Sequence, residues 1–396
     1  MKKVSILTCV CACFLTLCLT LTGVFLCRSF TRRNRYTPED KLAEAAEIIR
    51  NNYIGEYEES FLTDCAIDAM IYSLNDRWSY YMTAEEMTAY ERMNRNSYGG
   101  IGIVVQDNEA QAAEILKVYE QSPAGRAGVQ PGSLFLAVNG QNAAEMEKSL
   151  VVELVQEAIA QGRVVLRLRC PDGEEREYEL IPGEVYTEPV SCRVLPSGLG
   201  YIRVDNFEGR SAQGAIDAVE TLLAQSVPGI VFDVRENPGG QLSELLKLLD
   251  YLLPEGKLFI SRDTEGNESV EYSEASCVEL PITVLIDQDS YSAAEFFAAA
   301  LREYGWAELV GAQTSGKGYA QITVRMRDGS AIHISHIAYF TPNGVCLAGV
   351  GLTPDLEVEL GDDERSLLYY GMLSPEDDPQ LEAAERLLLE RLAVSP

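Results

Sequence analysis

From residue 199 to residue 305 strand-like and helix-like runs alternate, and that alternation restricts the fold more than any other feature of the sequence. GYIRV (200–204) precedes a helical pattern near 211–225. GIVFDV (229–234) runs through the loop RENPGG (235–240) into a helix reaching about 253. ITVLID (282–287) precedes SYSAAEFFAAALREYG (290–305), a helix ended by Gly305. Apolar strands that each lead into a covering helix make an α/β core. Two further strands, joined by Asp328–Gly329, lead to TPNG (341–344) and LTPD (352–355). The predicted fold class is mixed α/β.

The residues before this core have a different texture. Residues 37–95 read helical: Pro38 opens a pattern with Leu42, Ala45, Ile48 and Ile49 at helical spacing, and a second apolar helix covers about 62–74. Thr83 heads a third, with Thr83 and Glu86 spaced as a capping box. YGGIGIVV (98–105) then begins a β-rich stretch of strands at 115–119, 134–138, 163–169 and 176–181. Within it lie a short helix signal at 122–129, an Asn139–Gly140 turn and a helix at 144–160. The acidic tail 361–396 ends in an amphipathic pattern at about 379–392.

At the N-terminus, residues 4–27 carry no charge over 24 positions. As a helix this run would span ~36 Å, against a hydrocarbon core of ~30 Å. It is longer than a signal-peptide core, and no A-x-A-like cleavage site follows it. An uncleaved membrane anchor is therefore the expectation. The net charge of the chain is −29, and residues 1–35 hold six basic and no acidic residue. Residues 36–396 are left with 26 basic against 61 acidic residues, a net −35 that repels phosphate backbones and excludes nucleic acid as a partner class.

The chemistry available is narrow. Five of the ten cysteines lie in the apolar run, where Cys acts as a small hydrophobe. The others, Cys65, Cys170, Cys192, Cys277 and Cys346, are odd in number and form no C-x-x-C pair, so neither a disulfide framework nor a zinc site is supported. The two histidines, His333 and His336, are three apart on one predicted strand and point to opposite faces. They cannot jointly bind a metal, and a serine–histidine–aspartate centre is disfavoured. No metal or cofactor is expected.

Three local features have both a plain and a chemical reading. Ser292 begins a helix, and Ser292-Ala-Ala-Glu295 is itself a capping box, which the local sequence favours. The same geometry would expose a nucleophile and aim backbone N–H groups at a developing oxyanion. Lys317, in QTSGKGYAQ (313–321), suits a surface turn; buried, it would lose its proton more easily and act as a base. ENPGG (236–240) is either a tight strand–helix turn or a source of oxyanion donors, with Gly239 or Gly240 acting beside Ala293.

Together these motifs resemble the carboxyl-terminal processing peptidases, or tail-specific proteases, of the tricorn-like serine protease group. The nucleophile motif S-x-S-A-[SA]-E is similar to Ser290-Tyr-Ser292-Ala-Ala-Glu295, and G-K-G-x-x-Q to Gly316-Lys317-Gly318-Tyr-Ala-Gln321. D-x-R-x-N-P-G-G is matched from Asp233 to Gly240. LNDRWSYYMTAEE (74–86) and YFTPNG…GVGLTPD (339–355) resemble further family segments, so the likeness covers about residues 38–360 in order. It implies Ser292 as nucleophile, Lys317 as general base, Gln321 as the residue orienting that lysine, and Gly239 with Ala293 as the oxyanion hole. The implied core is of the ClpP/crotonase-like ββα kind.

The resemblance also implies a PDZ domain over 96–183, inserted between a helical region (36–95) and a protease core (184–360). Gly100, Ile101, Gly102 and Ile103 are similar to its carboxylate-binding loop, whose amides would cradle a peptide C-terminus. Arg126 would add charge attraction. Two positions depart from the family pattern: Gly132-Ser133 stands for G-D, and Ser315 for the phenylalanine before G-K-G. The implied partners are proteins or peptides with apolar C-terminal tails, together with the membrane through 4–27; a homodimer is compatible with the chain. Four arginines follow the apolar run and two lysines precede it, a count that would keep the body cytoplasmic. The family places the body across the membrane, and that expectation is followed here. The rival from another class is a catalytically inactive PDZ scaffold, against which the intact Ser292 and Lys317 argue.

Overall fold

The computed structural model describes residues 14–24, 36–107, 112–274, 277–369 and 371–394. The chain divides into two compact units, Met1–Cys65 and Ala66–Pro396. In the first, residues 14–24 are helical, and the rest of the expected anchor at 4–27 lies outside the described residues. Among the described residues no helix is long and apolar enough to cross a membrane. The helix Pro38–Asn52 opens as predicted at Pro38. Its cap is Thr37, whose amide donates to Asp40 Oδ2 at 2.9 Å.

The second unit opens on the end of the helix Glu59–Tyr72 and a short strand, β1 (Tyr80–Met82), that the sequence did not announce. Thr83 and Glu86 then form the expected capping box at the head of the helix Ala84–Met93. The Gly-rich run is split: β2 (Ser97–Gly100) and β3 (Ile103–Asp107) are separated at Gly102, whose φ of 82° is open to glycine at little cost. The PDZ-like sheet contains β3, β4 (Ala113–Val118), β5 (Leu134–Val138), β6 (Gln141–Asn142), β7 (Val164–Arg169) and β8 (Glu175–Leu180). Its order is β3-β4-β5-β7-β8, with β6 on β5, so β3 lies at an edge. The helix Lys148–Ala160 contributes Val151, Val155 and Ala158 to the core of this sheet. β9 (Gly183–Tyr186) pairs back with β2, tying the two ends of the insertion together.

The protease-like core is built on β10 (Val190–Val194), β11 (Gly200–Val204), β12 (Ile230–Asp233), β15 (Ile282–Ile286), β16 (Ala307–Gly311) and β19 (Leu356–Glu357). They lie in that order, and only the β10 edge is antiparallel. The central strands β12 and β15 are buried at every position and mostly apolar, because both faces are covered. Ile202, Phe232, Val284 and Leu309 face the helices Ser211–Ala224, Leu242–Leu252 and Ala293–Glu303. Tyr201, Val231, Leu285 and Val310 face Leu381, Ala384 and Leu388 of the C-terminal helix Pro379–Val394. A second sheet is formed by β1, β18 (Ala331–Phe340), β13 (Gly256–Arg262) and β14 (Glu268–Ser273), with β17 (Tyr319–Arg325) on β18. The β13–β14 hairpin and β16 were not read from the sequence.

Candidate active site

Three chain segments converge on one cleft of about 550 Å³, lined by Trp78, Tyr80, Glu208, Gly239, Gly240, Tyr291, Ser292, Ala293, Lys317, Gln321, His333 and Tyr339, among others. The first segment is the junction between β15 and the helix Ala293–Glu303. Ser290 is buried and closes the turn: its Oγ donates to Val234 O at 2.7 Å and accepts from the Asp287 amide at 3.0 Å. The Tyr291 amide donates to Asn237 O at 3.1 Å, which joins the turn to the RENPGG loop. Ser292 then adopts φ 58° and ψ −122°, a conformation costly for a residue with a side chain. Strain of this kind at a strand-to-helix turn is how a serine is thrust out of the backbone at the head of a helix.

Glu295 holds the next segment against that turn. It is fully buried, yet its carboxylate accepts four hydrogen bonds. Oε2 receives the amides of Ser292 (3.0 Å) and Lys317 (2.9 Å), while Oε1 receives the Gly316 amide (2.8 Å) and the Thr314 hydroxyl. One side chain thus fixes the backbone of both Ser292 and Lys317. The glutamate half of the expected capping box is present, and it reaches a second loop as well. Gly316, at φ 79°, is packed under the closing segment, where a Cβ would come within 2.7 Å of the Gly351 nitrogen.

Lys317 is more than half buried, and desolvation lowers its pKa from 10.5 to about 8, although Asp76 and Glu295 act in the opposite direction. The sequence could not establish this burial; the structure does. The Nζ lies 4.7 Å from the centre of the Trp78 ring and 5.9 Å from that of Tyr291. Among the described residues no hydrogen bond joins it to the Ser292 hydroxyl. The Ser292 hydroxyl instead sits by the Tyr339 phenol, whose pKa is raised by burial and countered by a hydrogen bond from that serine.

Two of the predicted roles meet a different geometry. Gln321 does not hydrogen-bond Lys317: its Nε2 donates to Tyr319 O (2.7 Å) and Ser335 Oγ (3.1 Å). The register of β17 against β18 shifts between Ala320 and Gln321, which turns this side chain toward β18. The Gly239 amide is also engaged, donating to Asn237 Oδ1 at 2.8 Å. Among the described residues the Gly240 amide has no such acceptor, but its backbone packs against Phe207 and Glu208 rather than against Ala293, the first residue of its helix. Gly239 remains essential as a glycine, because a Cβ there would lie 2.8 Å from the Ala293 nitrogen and from Ser292 Cβ.

His333 was set aside in the sequence, yet it lines the cleft. Its Nδ1 pairs with Thr323 Oγ1 at 2.8 Å, its ring lies 4.7 Å from that of Tyr80, and burial together with the Lys317 charge lowers its pKa to about 4. His336 is exposed. Glu208 was also missed; burial raises its pKa, and Gln241 Nε2 donates to it at 2.9 Å. No local signal marks either residue, since their neighbours come from distant parts of the chain.

In the PDZ-like sheet, Gly100 closes the β2–β9 ribbon opposite Gly183. Ile101 is buried and its carbonyl accepts the Ala124 amide at 2.9 Å. Gly102 permits a contact that a Cβ would block, since it would fall 2.0 Å from Ser122 Cβ. Ile103 starts the edge strand β3. The four run from the end of β2 into the start of the edge strand β3. Arg126 is exposed and donates to Gln121 O at 2.5 Å, within its own turn.

Residues 198–358 match the model of peptidase family S41. Residues 29–86 match the activating protease CtpB N-terminal domain, and 114–169 a PDZ domain. Residues 198–358 are thus similar to the core of peptidase family S41. A relative described as a probable CtpA-like serine protease, from Staphylococcus aureus (strain N315), is 27% identical over 325 residues, 81% of this chain. One of the same description from Staphylococcus haemolyticus is 27% identical over 322 residues, 80% of this chain. The match spans 64% of the length of each of these relatives. A solved protein of Bacteroides fragilis assigned to the S41 proteases shares the fold, with a TM-score of 0.53 and 17% identity over 90% of this chain and 99% of that one. The tricorn protease does so at 0.50 and 18%, over 88% of this chain and 36% of its own. The expected core and PDZ domain of an S41 peptidase are thereby established.

Proposed function

We propose that this S41 chain is a serine endopeptidase of the carboxyl-terminal processing kind, with Ser292 as nucleophile and Lys317 as general base. The observation that carries the reading is a strained serine at a helix N-terminus, sharing a cleft with a half-buried lysine whose pKa is depressed to about 8. A neutral Lys317 amine takes the Ser292 proton as Oγ attacks the scissile carbonyl, and the oxyanion is met by the amide of Ala293 and that of Gly239 or Gly240. The Gly239 amide serves once its bond to Asn237 is released. Collapse expels the amine and leaves an ester on Ser292, which water hydrolyses with Lys317 again as base.

Several features support the rest of the proposal. The open edge of β3, beside the helix Lys148–Ala160, suits a peptide that adds as a further strand with its terminal carboxylate at Gly100–Ile103. Substrates with apolar C-terminal tails would be recruited there, and their binding would also gate the cleft. The uncharged run at 4–27 would anchor the protein, with residues 36–396 on the extracytoplasmic side.

The test is to incubate residues 36–396 with casein near pH 8, beside Ser292→Ala and Lys317→Ala. Cleavage by the unaltered chain alone is the expected result. Equal cleavage by either variant would overturn the dyad. Inactivity that persists when apolar-ended peptides are added would favour the inactive scaffold.

A further inference from the structure

Trp78 has no role in the proposed chemistry, yet it makes the closest ring contact to its central amine. The loop that holds it is tied down by hydrogen bonds. The Asp76 carboxylate accepts the Trp78 amide at 3.0 Å and the Ser79 hydroxyl at 2.6 Å, and Ser79 Oγ accepts the Ser335 amide of β18 at 3.0 Å. The indole so placed lies 4.7 Å from Lys317 Nζ and 5.3 Å from the ring of Tyr291, the residue before Ser292. Among the described residues Lys317 Nζ makes no hydrogen bond or ion pair, so the ring faces are what hold it.

We propose that Trp78 is a positioning residue for Lys317: its indole face seats the amine in the cleft where other sites would use a hydrogen-bonding partner. The proposal rests on Lys317 being the general base. An ammonium is drawn to the negative face of an indole, and a neutral amine is not. The seat therefore grips Lys317 in its resting, charged form and loosens as the proton leaves, freeing the amine when it is able to accept the serine proton. The sequence hides this, because Trp78 and Lys317 are far apart in the chain and an isolated tryptophan reads as core.

The charged and titratable groups facing Lys317 are Asp76 and Arg77 from the same loop, Glu208, Glu295, Tyr291 and His333. Asp76 is held low by hydrogen bonds from Ser79 and Ser335 against its burial, His333 titrates at about 4, and burial raises Tyr291. Arg77 also lies over the indole, its guanidinium carbon 4.3 Å from the ring centre, and its charge opposes that of Lys317.

The chain has two tryptophans, so Trp306→Phe leaves Trp78 as the only one. In a Ser292→Ala, Trp306→Phe chain, Trp78 emission is expected to titrate between pH 6.5 and 9.5 with a midpoint near 8, and to become flat when Lys317→Met is added. If Trp306→Phe does not fold, the difference in emission between Ser292→Ala chains with and without Trp78→Phe gives the same readout. Emission that does not titrate, or that still titrates without Lys317, would overturn the proposal. In the active chain, Trp78→Leu is expected to move the acidic limb of kcat down by roughly half a unit, a two- to fivefold change in the ionisation constant, while Trp78→Phe keeps most of the unaltered profile. A limb that is the same in the Leu variant and the unaltered chain would also overturn it. The emission test needs no turnover. Titration in a chain that never cleaves would leave the seat standing and remove the protease reading; cleavage without titration would remove the seat alone.

Discussion

At the scale of the residue, two numbers decide what Ser292 and Lys317 do. The lysine is charged below about 8 and must be neutral to act, so kcat should rise with pH along a limb centred near 8. Roughly one molecule in ten is competent at pH 7 and nine in ten at pH 9. A pH–rate profile on a peptide substrate checks this, and a limb near pH 6 would point to another base. The same shift has a stability consequence. The folded pKa lies below the ordinary 10.5, so burying the charge costs stability at low pH, and that cost fades as pH rises from about 8 toward 10.5. Lys317→Met should therefore stabilise the chain by about 1–3 kcal/mol at pH 7 and by much less at pH 10.5, measured by urea unfolding. For Ser292 the φ of 58° is the decisive quantity. Ser292→Gly and Ser292→Ala should both be inactive, but the glycine variant should be more stable by about 1 kcal/mol, because only it relieves the backbone.

At the scale of the element, the site is a set of loops pinned by one side chain. Glu295 binds the amides of Ser292, Gly316 and Lys317, so its replacement should disturb both catalytic loops together. Glu295→Gln presents an NH2 group to donors that need an acceptor. It should cost about 1–3 kcal/mol of stability. It should also lower kcat by at least about tenfold through misplacement of the two loops. Thermal unfolding and steady-state kinetics on the same preparation would check both. The elements themselves were largely legible: β5, β11 and the Thr83 cap fall where periodicity and turn residues put them. β1, β10, β16 and the β13–β14 hairpin were not, since each is short or partly exposed and is defined by the neighbour it pairs with.

At the scale of the whole molecule, the C-terminal segment reaches back to the oxyanion loop. Arg235, at the start of RENPGG, is buried and held by Asp233 on its own segment and by Asp378 and Gln380. Burial would raise the Asp233 carboxyl, but Arg235 and Arg203 hold it at about 2. Its folded pKa is below 3.8, so the stability it lends is present above about pH 4 and is lost as pH falls toward 2. Asp378→Ala leaves the guanidinium short of a buried partner, an expected loss of about 3–5 kcal/mol. It should also lower activity, since Arg235 fixes the loop that carries Gly239 and Gly240. Urea unfolding and casein hydrolysis would read the two effects; unchanged stability would contradict the network.

The sequence by itself determined the α/β alternation, the order of the motifs, the strand–helix junction at Ser292 and the β-rich stretch between the helical region and the core. Each of these is written in local periodicity, turn chemistry or short spacing, which neighbours along the chain can enforce. The tertiary structure alone decided that Lys317 is partly desolvated, that Glu295 joins two loops, that the Gly239 amide turns to Asn237 and that Trp78 and His333 face the cleft. Those outcomes depend on desolvation and on contacts between residues far apart in the chain, and neither leaves a mark on the residues beside them.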